Sequence, residues 1–495
     1  MICLTLLLWC SPAFADPAFI PSPLPADHVY AGGWEHFVGG GVAILDCDQN
    51  GFPDFVVAGG ENPMRLFRNR TTSAGADLAV EIGDFPKLTG VTGSYPLDID
   101  NDGWQDLVVL RVGANVLLKG GPGCRFEDRT QQWGFEGGDA WSTAFSATWE
   151  AGRDRPTLAI GNYVNRSDPD GPFEACDENE LHRPVEGAFE KQVLAPGFCA
   201  LSMLFSDWDR SGVADLRISN DRHYYVRGGS EQMWAMPNLT LRNGAGWEPI
   251  SIWGMGIASQ DLTGDGRPEV MLTSMGDQLL QFATPEGYQT APFEIGTFAQ
   301  RPYIGDDGRP STGWHAEFGD VNNDGLVDLF IAKGNVDQMP GNAMADPNNL
   351  LMQDTSGRFF ERGGVAGIAS VARSRGAGLT DFNLDGRLDL VVVNRRAPLE
   401  LYQNVTPDTG NWIAVLPQQS GPNRHAIGAW VEVRAGRKSW TKEITAGGGH
   451  VSGASGPIHF GLGNAESAEF RILWPDGAAS PWQKTDANQA IQVAR

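Results

Sequence analysis

The chain has 495 residues, of which 41% are hydrophobic, with 63 Gly, 16 Trp and a formal net charge of -24. That length allows two or more domains, and the abundance of glycine and tryptophan suits many short strands joined by tight turns. Acidity this strong excludes nucleic acid as a partner and excludes charge-driven binding to anionic membranes, since both need a basic surface.

In chain order, the first element is a targeting segment. Residues 1–15 read MICLTLLLWCSPAFA, an apolar run followed by Ala13-Phe14-Ala15, which satisfies the small-x-small cleavage rule of a secretory signal peptide. The apolar run is too short to span a bilayer and no later stretch is long enough. The mature chain is therefore expected to be soluble and secreted, extracellular or periplasmic, with no transmembrane segment. It keeps four cysteines, Cys47, Cys124, Cys176 and Cys199. An even count in an exported protein suggests disulfides, and Cys176 with Cys199 is the pair favoured by proximity. Closing that loop would contribute roughly 3 kcal/mol. Cys47 with Cys124 follows by elimination only, with buried free thiols as the alternative.

From residue 46 onward one nine-residue pattern, D-x-[DNT]-x-[DNS]-G-x-x-[DE] followed by an apolar strand, occurs six times: DCDQNGFPD, DIDNDGWQD, DWDRSGVAD, DLTGDGRPE, DVNNDGLVD and DFNLDGRLD. Their starts at 46, 98, 207, 261, 320 and 381 leave one interval twice the others. A seventh unit is hidden near 150, where SATWEAGRDRPTLAIGNY keeps the strands and loses the aspartates. Each unit repeats an entering strand (GVAIL, RGAGL), the loop, a second strand (DFVVAGG, DLVVVNR), a third (MRLFRNR, LELYQNV) and a fourth (CRFEDRT, GRFFERG). Four strands per unit at this period predict an all-β fold, a seven-bladed β-propeller over 17–408. After a short linker, WVEVRAG, SWTKEIT and EFRILWPDG alternate well and predict a small all-β domain over 411–495.

Oxygen donors at positions 1, 3, 5 and 9 of such a loop, with a backbone carbonyl near position 7, can surround a hard cation at the coordination number Ca²⁺ prefers, whereas Mg²⁺ demands a stricter octahedron. The candidate ligands are Asp46, Asp48, Asn50 and Asp54; Asp98, Asp100, Asp102 and Asp106; Asp207, Asp209, Ser211 and Asp215; Asp261, Thr263, Asp265 and Glu269; Asp320, Asn322, Asp324 and Asp328; and Asp381, Asn383, Asp385 and Asp389. Glycine at position 6 of every copy supplies the sharp turn. Without a cation the clustered carboxylates would repel one another and raise their own pKa values. Up to six Ca²⁺ ions are expected, changing the net charge from -24 to about -12. The alternative is that these are solvated Asp turns, and for the unit near 150 that reading prevails.

The loops resemble FG-GAP or VCBS repeats, the units of integrin-like propellers. The tail segments AIGAWVEVRAG, KEITAGGGHVSG, HFGLG and ILWPDG, with the late Asn488-Gln489, resemble the ASPIC/UnbV domain. The combination resembles the exported proteins related to cartilage acidic protein and implies calcium-stabilised structure outside the cytoplasm. The chain departs from that pattern in the third unit and at His450, where an aromatic such as Tyr is expected.

These features predict an exported, noncatalytic binding or scaffold protein, its loops locking the blades while the opposite propeller face holds a protein or glycan partner. A lectin-like propeller using tryptophan for stacking is the second reading. A calcium-dependent hydrolase is the third, with candidate clusters at Asn220-Asp221-Arg222-His223-Tyr224-Tyr225, at His315 and Glu317, and at Asn394-Arg395-Arg396. No nucleophile elbow, phosphate loop or HExxH motif accompanies them. Asn-x-Ser/Thr sequences at Asn69, Asn165, Asn238 and Asn404 would accept glycans in a eukaryotic route. The stretch over 164–206, with two cysteines, is read as an excursion from the blade period suited to a partner.

Overall fold

Each aspartate loop joins two almost wholly buried strands, the second apolar and rich in β-branched residues, as in Val91–Leu97 with Asp106–Arg111 and Ser374–Thr380 with Asp389–Asn394. Burial on both faces requires that such sheets pack against one another rather than against solvent. The computed structural model describes residues 16–170, 174–221, 228–244, 246–298 and 309–495. Among them are seven sheets, five of four strands and two extended to five by short strands from the tail, whose innermost ring strands are Val42–Leu45, Val91–Leu97, Ser142–Thr148, Ala200–Ser206, Gly254–Gln260, Gly313–Gly319 and Ser374–Thr380. Every innermost strand touches that of the next sheet, and the last touches the first, so the sheets close a ring. The leader expected over 1–15 lies outside the described residues.

The ring is closed by its own beginning. Phe19–Pro21 supplies the outer strand of the seventh sheet by antiparallel pairing of Phe19 with Asn404 and Pro21 with Tyr402. Sequence patterning misplaced one region. The stretch over 164–206 is mainly blade: Asn179–Val185 and Ala188–Leu194 are the two outer strands of the third sheet, and Ala200–Ser206 opens the fourth. Its polar outer strands, not an excursion from the blade, account for the weak pattern there, while the doubled interval comes from the lost aspartates of the third unit.

Beyond 410, Asn411–Gln418 pairs with Ile458–Gly463 and, in parallel, with Gln489–Ala494. Lys438–Glu443, Trp430–Ala435, Ser467–Leu473 and Gln483–Asp486 form a second sheet. Ile413, Val431, Phe460, Phe470 and Ile472 are among the residues that pack their shared core.

Residues 446–454, AGGGHVSGA, leave this tail domain and thread the middle of the ring. Ala446–Gly447 adds to the innermost strand of the third sheet, and Gly453–Ala454 adds in parallel to that of the first. Between them Gly448 N donates to Met203 O and Gly449 N to Ile257 O, while His450 N donates to His315 Nδ1 and Ser452 bridges to Ser94. So close an approach needs missing side chains. Gly449 has φ +56, and a Cβ there would lie 2.4 Å from His315 Cε1. Gly449→Ala is expected to lower the unfolding free energy by roughly 2–4 kcal/mol through backbone strain and overlap. A urea denaturation midpoint equal to that of the parent chain would contradict the seating of this segment.

Candidate metal loops beneath the tail domain

The six loops share one backbone. Position 6 is left-handed in all of them, with φ +91 at Gly51, +93 at Gly103, +85 at Gly212, +84 at Gly266, +78 at Gly325 and +86 at Gly386. This turn aims the position-6 N–H at the first aspartate: Gly51 N reaches Asp46 at 2.8 Å, Gly103 N reaches Asp98 at 3.0 Å, Gly212 N reaches Asp207 at 3.0 Å and Gly266 N reaches Asp261 at 2.9 Å. Gly325 N and Gly386 N each lie 2.7 Å from Asp320 and Asp381. At position 5 the side chains of Asn50, Asp102, Asp265, Asp324 and Asp385 accept from the N–H two residues on.

Position 9 staples the loop to the blade. Asp106 accepts from Ile99 N at 2.7 Å and from Gly120 N, on the third strand, at 2.8 Å. Asp54 does the same with Cys47 N and Asn69 N, Glu269 with Leu262 N and Ala283 N, Asp328 with Val321 N and Gln353 N, and Asp389 with Phe382 N and Asn404 N. Burial pushes these carboxyls up despite the donors: Asp54 and Glu269 to about 7 and Asp106 to about 8. Asp328 and Asp389 are raised for the same reason. At position 1, burial raises Asp98, Asp207 and Asp261 to about 6 and Asp381 to about 7, and it raises Asp320 well above the usual range.

The donor set fits a hard cation. In the first two loops, oxygens of Asp46, Asp48 and Asp54, and of Asp98, Asp100 and Asp106, lie within 4.8 Å of one another. Oxygens at ligand positions, Asp48 Oδ1, Asp98 Oδ1 and Asn383 Oδ1, are buried without a hydrogen-bond partner. The same two loops also carry cations of their own: Arg68 pairs with Asp48 at 2.6 Å, and Lys119 pairs with Asp100 and, at 2.6 Å, with Asp102. In the loop at Asp207, Asp215 is occupied by Arg242 Nε at 2.7 Å and Trp208 Nε1 at 3.1 Å, and Ser211 reaches Asp207 only at 3.4 Å. Thr263 N leans on Glu269 at 3.3 Å, and Asn322 donates to Asp324 at 3.2 Å. Asp209 accepts from Ser211 N at 3.1 Å. The third unit keeps the nine-residue length with Trp149, Ala151, Arg153 and Thr157 at the ligand positions. There Glu150 accepts from Thr157 Oγ1 and Arg183 Nε, both at 2.7 Å, so an ion pair stands in the loop.

The tail domain sits on these loops, which sequence reading did not anticipate. Asn423 N donates to Asn101 in the second loop at 2.8 Å, and Glu443 accepts from Asp207 N at 2.9 Å and Ser206 Oγ at 2.6 Å beside the third. Arg210 of that loop stacks 3.9 Å from the Trp430 ring. Trp440 Nε1 donates to Gly325 O at 3.1 Å, and His459 Nε2 meets Gly386 O at 3.1 Å. Burial pushes Glu443 up to about 8 and lowers His459 to about 4.

Other sequence candidates are committed to packing. His450 is buried at the ring's centre, where its Nε2 accepts from Gly39 N and its Nδ1 faces Leu201 O, and burial lowers it to about 3. His315 lies 3.4 Å from Glu317, whose carboxylate accepts from Leu379 N. Arg395 donates to His36 O at 2.6 Å, and Arg396 pairs with Asp337 at 3.2 Å. Asn394 Nδ2 holds Pro398 O, Asn220 Nδ2 holds Ser230 O, and Asp221 accepts from the Tyr163 hydroxyl at 2.6 Å. Arg222, His223, Tyr224 and Tyr225 lie outside the described residues. Asn69 and Asn404 are buried and bind backbone carbonyls, so neither is open to a glycan. Both cysteine pairs are disulfides, Cys47–Cys124 and Cys176–Cys199, with Cα atoms 4.8 and 4.9 Å apart. The first closes a separation of 77 residues, which contributes roughly 4–5 kcal/mol by chain entropy, and ties the first loop to the second sheet.

The FG-GAP-like repeat family matches residues 46–109, and the ASPIC and UnbV family matches residues 419–495. The molecule is thus an all-β protein of FG-GAP-like repeats joined to an ASPIC and UnbV segment. Cartilage acidic protein 1 of Mus musculus is 31% identical over 483 residues, covering 88% of this chain and 70% of that protein. The Homo sapiens protein is 23% identical over 96% of this chain and 76% of its own length. The match to the Xenopus tropicalis protein, 32% identical, spans 22% of this chain and 18% of that protein. The chain belongs to the cartilage acidic protein 1 family. Among solved structures, BBS1N in complex with ARL6DN covers 79% of this chain at 12% identity with a TM-score of 0.45. A mutant of AofleA from Arthrobotrys oligospora covers 67% at 11% identity with a TM-score of 0.38.

Two outcomes follow. The loop carboxyls bind protons more tightly folded than unfolded, so the stability they contribute is complete below the ordinary carboxyl range and is lost as pH rises through about 6 to 8. With a chelator present, the urea midpoint is expected to fall between pH 5 and pH 8; a midpoint that rises over that window would contradict it. Asp106→Ala strands the N–H groups of Ile99 and Gly120 and is expected to cost roughly 2–5 kcal/mol in the same measurement.

Proposed function

We propose that this chain is an exported, calcium-binding β-propeller that acts as a noncatalytic binding or scaffold protein. The observation that carries this reading is the sixfold recurrence of one left-handed turn, which in the first two loops gathers three carboxylates within 4.8 Å of one another, a cluster that a bound cation would neutralise at neutral pH. Two disulfides favour an oxidising compartment, and no helix of the described residues is long and apolar enough to cross a membrane. Calcium in the loops stiffens both the blades and the platform under the tail domain. The opposite end of the ring is left for a protein or glycan partner. Trp34 and Trp253, 44% and 36% exposed, lie at that end and favour glycan stacking as the second reading.

Chelation at neutral pH is expected to lower the melting temperature by many degrees, with recovery on adding Ca²⁺ and not Mg²⁺. An unchanged melt would defeat the calcium reading. Lys119 competes for the carboxylates of the second loop, so Lys119→Met is expected to tighten one class of calcium site by about tenfold in a calorimetric titration.

A further inference from the structure

Where the tail domain covers the loop face of the ring, it does not pack flush. A chamber of about 530 Å³ remains between them, within the range of roughly 300–1,000 Å³ typical of small-molecule sites. Its walls are mainly apolar, with Leu97, Ile257, Leu379 and Ile458 among them. Into this lining the strand Lys438–Glu443 contributes Lys442. Lys442 is half-buried, and its ammonium makes no hydrogen bond or ion pair with any described residue. Glu317 is the nearest favourable charge, but its carboxylate already accepts from Leu379 N at 2.9 Å and faces His315 Nε2 at 3.4 Å, and it stays beyond ion-pair distance of Lys442. His459, on the other side, is a neutral imidazole turned to Gly386 O.

A half-buried ammonium facing apolar walls without a partner is costly, and methionine would fill the same space without that cost. We propose that the chamber is a binding site for a small organic monocarboxylate with an apolar body, whose carboxylate pairs with Lys442. Arg424, the other cation of the lining, is exposed, so Lys442 beside Glu317 is the one half-buried cation and matches one negative charge, whereas a phosphate monoester would bring about -1.5 to -2. The apolar walls bury the remainder of the ligand and contribute most of the affinity. The ligand lies between ring and tail domain, so its binding also ties the two together.

Calorimetry of the full chain in calcium with decanoate and with decanol, near neutral pH, tests this. Decanoate is expected to bind saturably at one per chain. Lys442→Met should weaken decanoate by about tenfold or more, the worth of a charge-assisted hydrogen bond, without weakening decanol. That variant loses a half-buried, unpaired charge, so its melting temperature should equal or exceed the parent's. Ile458→Trp, which fills the chamber, should weaken both ligands. Absence of saturable decanoate binding to the folded parent chain, or equal decanoate affinity in Lys442→Met, would overturn the proposal.

Discussion

The molecule depends on one buried carboxylate repeated around a ring. At the start of the second strand of a blade, Asp54, Asp106, Glu269, Asp328 or Asp389 holds an N–H of its own loop with one oxygen and an N–H of the third strand with the other. This fixes the loop to the sheet and leaves the earlier donors, such as Asp46 with Asp48 and Asp98 with Asp100, converging on one point. The same burial that makes the staple rigid makes its charge expensive. We propose that a divalent ion resolves that conflict, and where the ligands are lost the chain supplies another answer. Arg183 on Glu150 replaces the cluster in the third unit.

Those loops carry load beyond their own blades. The tail domain rests on them through Asn423, Glu443, Trp440 and His459, and it sends residues 446–454 through the ring to touch innermost strands of the first, third and fifth sheets. Ring and tail domain are therefore one mechanical unit. Disordering a loop would loosen the platform, and loosening the platform would withdraw the support of the central segment. The face opposite the loops is free of this packing.

Much of the fold was legible because a repeat announces itself: the loop pattern and the strands DFVVAGG, DLVVL and DLFIAKG recur at a period that suits a blade. The left-handed glycine at position 6 of each loop was legible too. The outer strands Asn179–Val185 and Ala188–Leu194 were not, because their polar residues alternate weakly and the disulfide cysteines beside them read as an excursion. The path of AGGGHVSGA had no periodicity to betray it; its partners Ile44, Ser146, Met203 and Ile257 are hundreds of residues away. Lys442 in SWTKEIT looked like an ordinary outward lysine on an alternating strand, and only the gap between ring and tail domain makes it unusual. Asn69 and Asn404 carried a glycan-acceptor sequence while serving as buried carbonyl clamps, a distinction that depends on burial alone.

The central claim concerns ions, and counting them is the most direct measurement. Chelated, folded protein titrated with Ca²⁺ in a calorimeter at neutral pH is expected to saturate at about six ions per chain, one for each complete loop, with proton release as the raised carboxyls ionise. Heat traces showing no saturable uptake would contradict it.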